Sequence, residues 1–213
     1  MNLLFFGDSL VAGENSEYSF TDCITKHRVQ NRAVSGTTIG EYSIYPVDGY
    51  SLLRQIGKYE EDIKRADFIF LGYGNNDVSA IMCGFATVQT VSVSLIKAVD
   101  WIYQINPDVK NIIFLAPGSK EIIHNRSKAM CEYLEMDYFA NYSFKFPVSV
   151  YEDNYQKILD NVRYTCDILG MFDDEMLENM DEYISNDGLH PNEKGQSRIA
   201  DNLMHKLSQY YGL

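Results

Sequence analysis

The sequence predicts an α/β fold, a parallel sheet of about five strands with helices on both faces. Three observations predict it. Short apolar runs recur along the chain, helical patterns lie between them, and most of the runs are nearly continuous rather than alternating. A continuous run suits a parallel strand buried on both faces. Strand and helix in alternation build such a sheet.

The elements follow in order. Leu3–Phe6 is the first strand and Ser16–Lys26 the first expected helix. Val29–Val34 is a second strand; it carries Gln30, Asn31 and Arg32, which puts it nearer an edge. Ser51–Arg65 has apolar residues at 52, 53, 56, 59 and 63, close to helical spacing. Phe68–Leu71 is the third strand. Thr87–Ile105 sets Val91, Leu95, Ala98, Val99 and Ile102 on one stripe and ends at Asn106-Pro107-Asp108. Ile112–Ala116 is the fourth strand. After Pro117 the rhythm blurs. Residues 118–150 contain Tyr138, Phe139, Tyr142, Phe144, Phe146 and Pro147, and are expected to form a helix and a loop over the site. Tyr151–Thr165 reads as helix and Cys166–Phe172 as a fifth strand. Asn192 caps a final helix that runs to about Gln209. With no repeat, low-complexity stretch or linker, residues 1–213 read as one domain.

Composition narrows the function. A chain of 213 residues can bury roughly 70% of its unfolded surface, so its core needs no staples. The net charge of −12, with no basic stripe, argues against nucleic acid. Cys23, Cys83, Cys131 and Cys166 form no C-x-x-C pair, so neither a zinc site nor a redox motif is suggested, and core thiols are the expectation. The opening Met1-Asn2-Leu3-Leu4-Phe5-Phe6-Gly7 has no basic leader and reads as a strand, not a signal peptide. No segment approaches the ~18 apolar residues of a membrane span. The expectation is a cytoplasmic protein with no membrane partner.

Four segments carry candidate chemistry. The first strand ends at Gly7-Asp8-Ser9-Leu10. Ligands of open parallel sheets bind outside the carboxyl ends of the strands, so Ser9 is placed to act as a nucleophile. Gly7 is expected to permit a tight turn. Alone, the triplet is a weak signal, and a turn with an Asx or Ser cap is the more ordinary reading. The second strand leads into Ser35-Gly36-Thr37-Thr38, where a glycine lets backbone N–H groups face a substrate; loop flexibility explains it as well. The third ends at Gly72-Tyr73-Gly74-Asn75-Asn76-Asp77. An Asn amide donates hydrogen bonds without competing as a nucleophile, which suits an oxyanion; turn chemistry is the alternative. Asp187-Gly188-Leu189-His190-Pro191 sets a carboxylate three residues before a histidine that it can orient. His27, His124 and His205 have no such setting, and nothing supplies a third metal ligand beside Asp187 and His190.

The order of these segments resembles the GDSL esterase family, also called SGNH hydrolases. Phe6-Gly7-Asp8-Ser9-Leu10 is similar to the first block, Asn31-Arg32-Ala33-Val34-Ser35-Gly36 to the second, Gly74-Asn75-Asn76-Asp77 to the third, and Asp187-Gly188-Leu189-His190-Pro191 to the last. The resemblance runs from residue 3 to the final helix and departs at 118–150, which is longer and more aromatic than a minimal member needs. The ordinary α/β-hydrolase pattern Gly-x-Ser-x-Gly does not occur in the chain.

The resemblance implies a flavodoxin-like three-layer α/β/α sandwich. It implies Ser9 as nucleophile, Asp187 and His190 as its partners, and Ser9, Gly36 and Asn76 as the oxyanion hole. No metal or organic cofactor is implied. The expected activity is hydrolysis of a short-chain ester, acetyl foremost, of a small polar or carbohydrate substrate through an acyl-enzyme. The 16 tyrosines suit a carbohydrate, and Tyr138, Tyr142 and Phe144 are the expected wall near the site. A lysophospholipase or thioesterase of the same family is the alternative, as is a non-catalytic flavodoxin-like ligand-binding domain.

Overall fold

A computed structural model of the protein describes residues 1–42, 51–82, 84–116 and 148–212. Five parallel strands, β1 (Asn2–Gly7), β2 (Arg28–Asn31), β3 (Phe68–Gly72), β4 (Asn111–Ala116) and β5 (Asp167–Gly170), form one sheet in the order β2-β1-β3-β4-β5. The strand order reverses between β1 and β3, where an open sheet leaves a crevice at its carboxyl edge.

The strands' residue pairs split across the two faces because successive side chains point to opposite sides. Leu4 and Phe6 of β1, Ile69 and Leu71 of β3, and Ile112 and Phe114 of β4 pack on one side. Leu3 and Phe5, Phe68 and Phe70, and Ile113 and Leu115 pack on the other. The first face is covered by α2 (Leu52–Lys58), α3 (Glu60–Ile63), α5 (Val88–Ile105) and α6 (Val148–Val162). The second is covered by α1 (Ser9–Ala12), a 3-10 helix (Phe20–Cys23), α7 (Asp174–Glu178), α8 (Met180–Tyr183) and α9 (Glu193–Tyr211). The result is the three-layer α/β/α architecture expected from the sequence. α4 (Asn75–Met82) follows β3 directly.

Several elements lie where the sequence puts them. The α5 stripe of Val91, Leu95, Ala98, Val99 and Ile102 is buried. Asn192 caps α9, its side chain accepting from Gly195 N–H. β2 is an edge strand, shorter than the apolar run.

Two expectations need correction. Residues 16–26 form no α-helix, only the short 3-10 helix Phe20–Cys23. Gly13, left-handed at φ 80°, ends α1, and Ser19 caps the 3-10 helix reciprocally with Asp22. The hydroxyl of Ser19 also donates to Val11 O, so the segment satisfies itself by turns instead of a helical ladder. The 51–65 helix is broken at Tyr59, whose φ of −117° separates α2 from α3. Its ring packs against Phe6 and beneath the Arg32 guanidinium.

Gly7 matters for a different reason from the one the sequence suggests. It is paired across the sheet with Gly72. A Cβ on Gly7 would lie 2.5 Å from Val11 Cγ2, and one on Gly72 would lie 2.3 Å from the same atom. Both glycines are there so that α1 can sit directly on the strand ends.

Among the described cysteines, Cys23 and Cys166 are half-buried free thiols. Burial pushes the Cys166 thiol up to about 12. Cys83, Cys131, His124 and the aromatic segment with Tyr138, Phe139, Tyr142, Phe144, Phe146 and Pro147 lie outside the described residues. Among those described, no helix is long and apolar enough to cross a membrane.

Candidate active site

The carboxyl ends of β1, β2 and β3 are laced together. Asp8 N–H donates to Gly72 O, and Val34 N–H to Gly7 O. The Thr37 hydroxyl also donates to Gly7 O, at 3.0 Å. These bonds draw the loops bearing Ser9, Gly36 and Asn76 to one edge of the sheet.

Ser9 opens α1. Asp8 is its N-cap, accepting from Leu10 N–H at 3.1 Å, so the cap and the half-buried serine coexist in one turn. The Ser9 carbonyl accepts from both Gly13 and Glu14 N–H, which folds the following loop back over the short helix. The hydroxyl of Ser9 is 2.8 Å from His190 Nε2.

His190 sits in a loop that closes on itself between Tyr183 and Asn192. Ser185 N–H donates to His190 O, and Ile184 bridges Pro191. Asp187 Oδ1 accepts from the Ser185 hydroxyl at 2.6 Å, Leu189 N–H at 2.8 Å and His190 N–H at 3.0 Å. Its Oδ2 is 2.6 Å from His190 Nδ1. A carboxylate can only accept, so Nδ1 carries the proton and Nε2 is left to accept from Ser9. Burial by itself would raise the Asp187 carboxyl. The bonds from His190, Ser185 and the two backbone N–H groups outweigh it and hold the group well below the usual carboxylate range.

Gly36 has φ 78°, a left-handed conformation that a side chain would strain. Beside it, the carbonyl of Thr37 accepts from Asn76 Nδ2 at 2.9 Å. An amide has two N–H bonds. One is used to hold the side chain of Asn76 to the β2 loop, and the other can serve an incoming acceptor. Asp77 stiffens the same loop from below, its Oδ1 accepting from Ile39 N–H at 2.9 Å and from the Tyr42 hydroxyl at 3.0 Å. Burial, with the Asp8 carboxylate nearby, pushes the Asp77 carboxyl up to about 7 against the pull of these bonds.

The structure therefore brings Ser9, Asp187 and His190 into one hydrogen-bonded line, and ties Asn76 to the Gly36 loop. His27 and His205 take no part in that line. Three contributors were not singled out from the sequence. Thr37 was visible only as part of a glycine loop, yet it links the ends of β1 and β3. Ser185 had a local signal, a Ser two residues before an Asp. Asn15 had none for its partner, Asp187, from which 172 residues separate it. Among the described residues, no group of three or more His, Cys, Asp or Glu side chains could hold a metal ion.

Comparison with known proteins identifies the family and the fold. The model of the GDSL-like Lipase/Acylhydrolase family matches residues 5–198. No curated protein matches the sequence significantly. Solved structures share the fold at low identity. The lipase Lip_vut3 from a goat rumen metagenome is 14% identical with a TM-score of 0.63, covering 96% of each chain. Est24, a carbohydrate acetylesterase from Sinorhizobium meliloti, is 14% identical with a TM-score of 0.61, covering 99% of each. The psychrotrophic esterase EstA from Pseudoalteromonas sp. is 16% identical with a TM-score of 0.61, covering all of this chain and 99% of that one.

Proposed function

The chain belongs to the GDSL-like lipase/acylhydrolase family and is a carboxylic ester hydrolase, and from that premise we propose that it works through an acyl-enzyme on Ser9, with His190 as the base and Asp187 as its orienting partner. The observation that carries this reading is the Ser9–His190–Asp187 line, with contacts of 2.8 Å and 2.6 Å.

His190 Nε2 takes the Ser9 proton as Oγ attacks the ester carbonyl carbon. The carbonyl oxygen becomes an oxyanion, which accepts hydrogen bonds from the Ser9 and Gly36 backbone N–H groups and the second Asn76 amide N–H. The tetrahedral species collapses, and the imidazolium gives its proton to the departing alkoxide. Water then attacks the acyl-enzyme by the same route, and Ser9 is regenerated as the acid leaves. Asp187 keeps the proton of His190 on Nδ1 throughout and stabilises the imidazolium between steps.

For the substrate, the reading is a short acyl group, acetyl foremost, on a small polar alcohol such as a sugar. Its supports are the tyrosine-rich composition and the carbohydrate acetylesterase among the structures of the same fold. The test compares kcat/KM for p-nitrophenyl acetate, butyrate and octanoate. Each methylene buried in an apolar pocket is worth about 0.8 kcal/mol, or roughly fourfold. A peak at acetate or butyrate is the expected result. A steady climb to octanoate would assign a long-chain acyl substrate instead. Labelling of Ser9 by a fluorophosphonate tests the nucleophile separately.

A further inference from the structure

Asn15 lies six positions after Ser9, in the loop that folds back over α1. It is the only non-glycine residue with positive φ among those described, at 63°. An Asn tolerates that conformation better than most residues, but it still needs a reason to be there. The reason is at the other end of the chain. Asn15 Nδ2 donates to Asp187 Oδ2 at 2.6 Å. This is the oxygen that faces His190 Nδ1, and Asn15 Nδ2 itself lies 3.5 Å from that nitrogen. The opposite amide orientation would set an oxygen against a carboxylate, so the nitrogen is the atom that points inward.

We propose that Asn15 is a positioning residue of the hydrolytic site, holding Asp187 Oδ2 in line with His190 and fixing the Ser9 turn against the Asp187–His190 loop. The proposal rests on the triad reading above.

Two effects follow from the geometry. The first is register. Glu14 and Gly13 N–H groups both bind the Ser9 carbonyl, so residues 9–15 form one compact unit. Anchoring Asn15 on Asp187 gives that unit a second contact with the histidine loop, besides Ser9 on His190 itself. The second is electrostatic. Asp187 Oδ1 is committed to Ser185, Leu189 and His190 N–H. Oδ2 divides its charge between His190 and Asn15. Asn15 thus takes a share of the carboxylate that would otherwise face the imidazole alone. Of the side chains that hydrogen-bond Asp187 among the described residues, Asn15, Ser185 and His190, only the imidazole can carry a positive charge.

The test uses Asn15→Gly, which keeps the left-handed backbone and deletes the amide, and Asn15→Asp, which keeps the shape and removes the donor. In Asn15→Gly, kcat should fall about tenfold, the worth of one hydrogen bond to a charged group, with KM little changed, since the amide touches Asp187 and not substrate. The acid limb of kcat/KM should move to higher pH, because an unshared carboxylate stabilises the imidazolium. Asn15→Asp should lose more activity and move the limb further, since it adds a second negative charge beside the ring. Either variant keeping wild-type kcat and pH profile would overturn the proposal, as would a change confined to KM. Fluorophosphonate labelling of wild-type Ser9 is the control. A labelled wild type with indifferent Asn15 variants sinks the Asn15 role alone, whereas an unlabelled Ser9 sinks the triad reading on which it rests.

Discussion

His190 Nε2 lies 2.8 Å from the hydroxyl of Ser9, although 181 residues separate them. The serine is presented by the end of a central strand and the histidine by a loop leading into the last helix. The pair closes the site across nearly the whole length of the chain, and its proposed chemistry can be tested at each side chain that supports it.

Ser9→Ala should abolish ester hydrolysis and leave the protein folded. One hydrogen bond to His190 is lost, at a cost of about 1–2 kcal/mol at most. Turnover by the purified variant, with thermal unfolding as the fold check, decides the matter; undiminished hydrolysis would mean another nucleophile.

Asn76→Ala should lower kcat by about 10²–10³, the usual effect of removing one oxyanion donor, with a smaller change in KM. The Thr37 carbonyl also loses its partner, so a modest drop in stability accompanies the kinetic loss. A variant that raised KM and left kcat alone would make Asn76 a substrate-binding residue.

Asp77→Asn should flatten part of the pH dependence of stability. The folded carboxyl is pushed up to about 7 by burial, against about 3.9 for an unfolded Asp. Between those values the folded state holds the extra proton, so the stabilisation is complete below about 4 and is lost as pH rises through about 7. Asp187, whose carboxyl is held low, acts in the opposite sense, and its contribution fades only below this window. Asn keeps an acceptor for Ile39 N–H and the Tyr42 hydroxyl but carries no charge. Urea midpoints from pH 4 to 8 should therefore fall less steeply in the variant. Parallel curves for the two proteins would show that Asp77 does not titrate there.

Gly74→Ala should destabilise the protein and slow the reaction together. Gly74 has φ +119°, and a Cβ would lie 2.8 Å from the Tyr155 ring on α6. Backbone strain of this kind costs of order 1–3 kcal/mol before the clash is counted. Relief of that strain shifts Asn76, two residues on. Urea titration and kcat measured on the same preparation check both parts; wild-type values in both would mean that the β3 turn yields without consequence.

Much of this was legible in the sequence because it is local. Continuous apolar runs such as Phe68–Leu71 and Ile112–Ala116 announce strands buried on both faces, since nothing else in a short segment needs to be apolar on every side. The α5 stripe and the Asn192 cap are likewise properties of neighbouring residues. Asp187 and His190 are three positions apart, so their pairing is a property of one loop. Where local signals compete, the reading fails. Residues 16–26 have enough apolar content for a helix, but the Ser19–Asp22 cap and the bond from Ser19 to Val11 satisfy the backbone another way.

The tertiary structure alone decided which loops meet. Apolar periodicity identifies strands but does not rank them across a sheet, and it is the order β2-β1-β3-β4-β5 that sets β1 beside both β2 and β3. That adjacency puts Thr37 between Gly7 and Asn76, and Gly7 opposite Gly72 beneath Val11. Asn15 shows the limit most plainly. Its left-handed backbone is a local trait, but its partner is fixed by how α9 and its leading loop pack beside α1 on the same face of the sheet. Such a contact follows from the whole core being assembled, and no short window of sequence contains it.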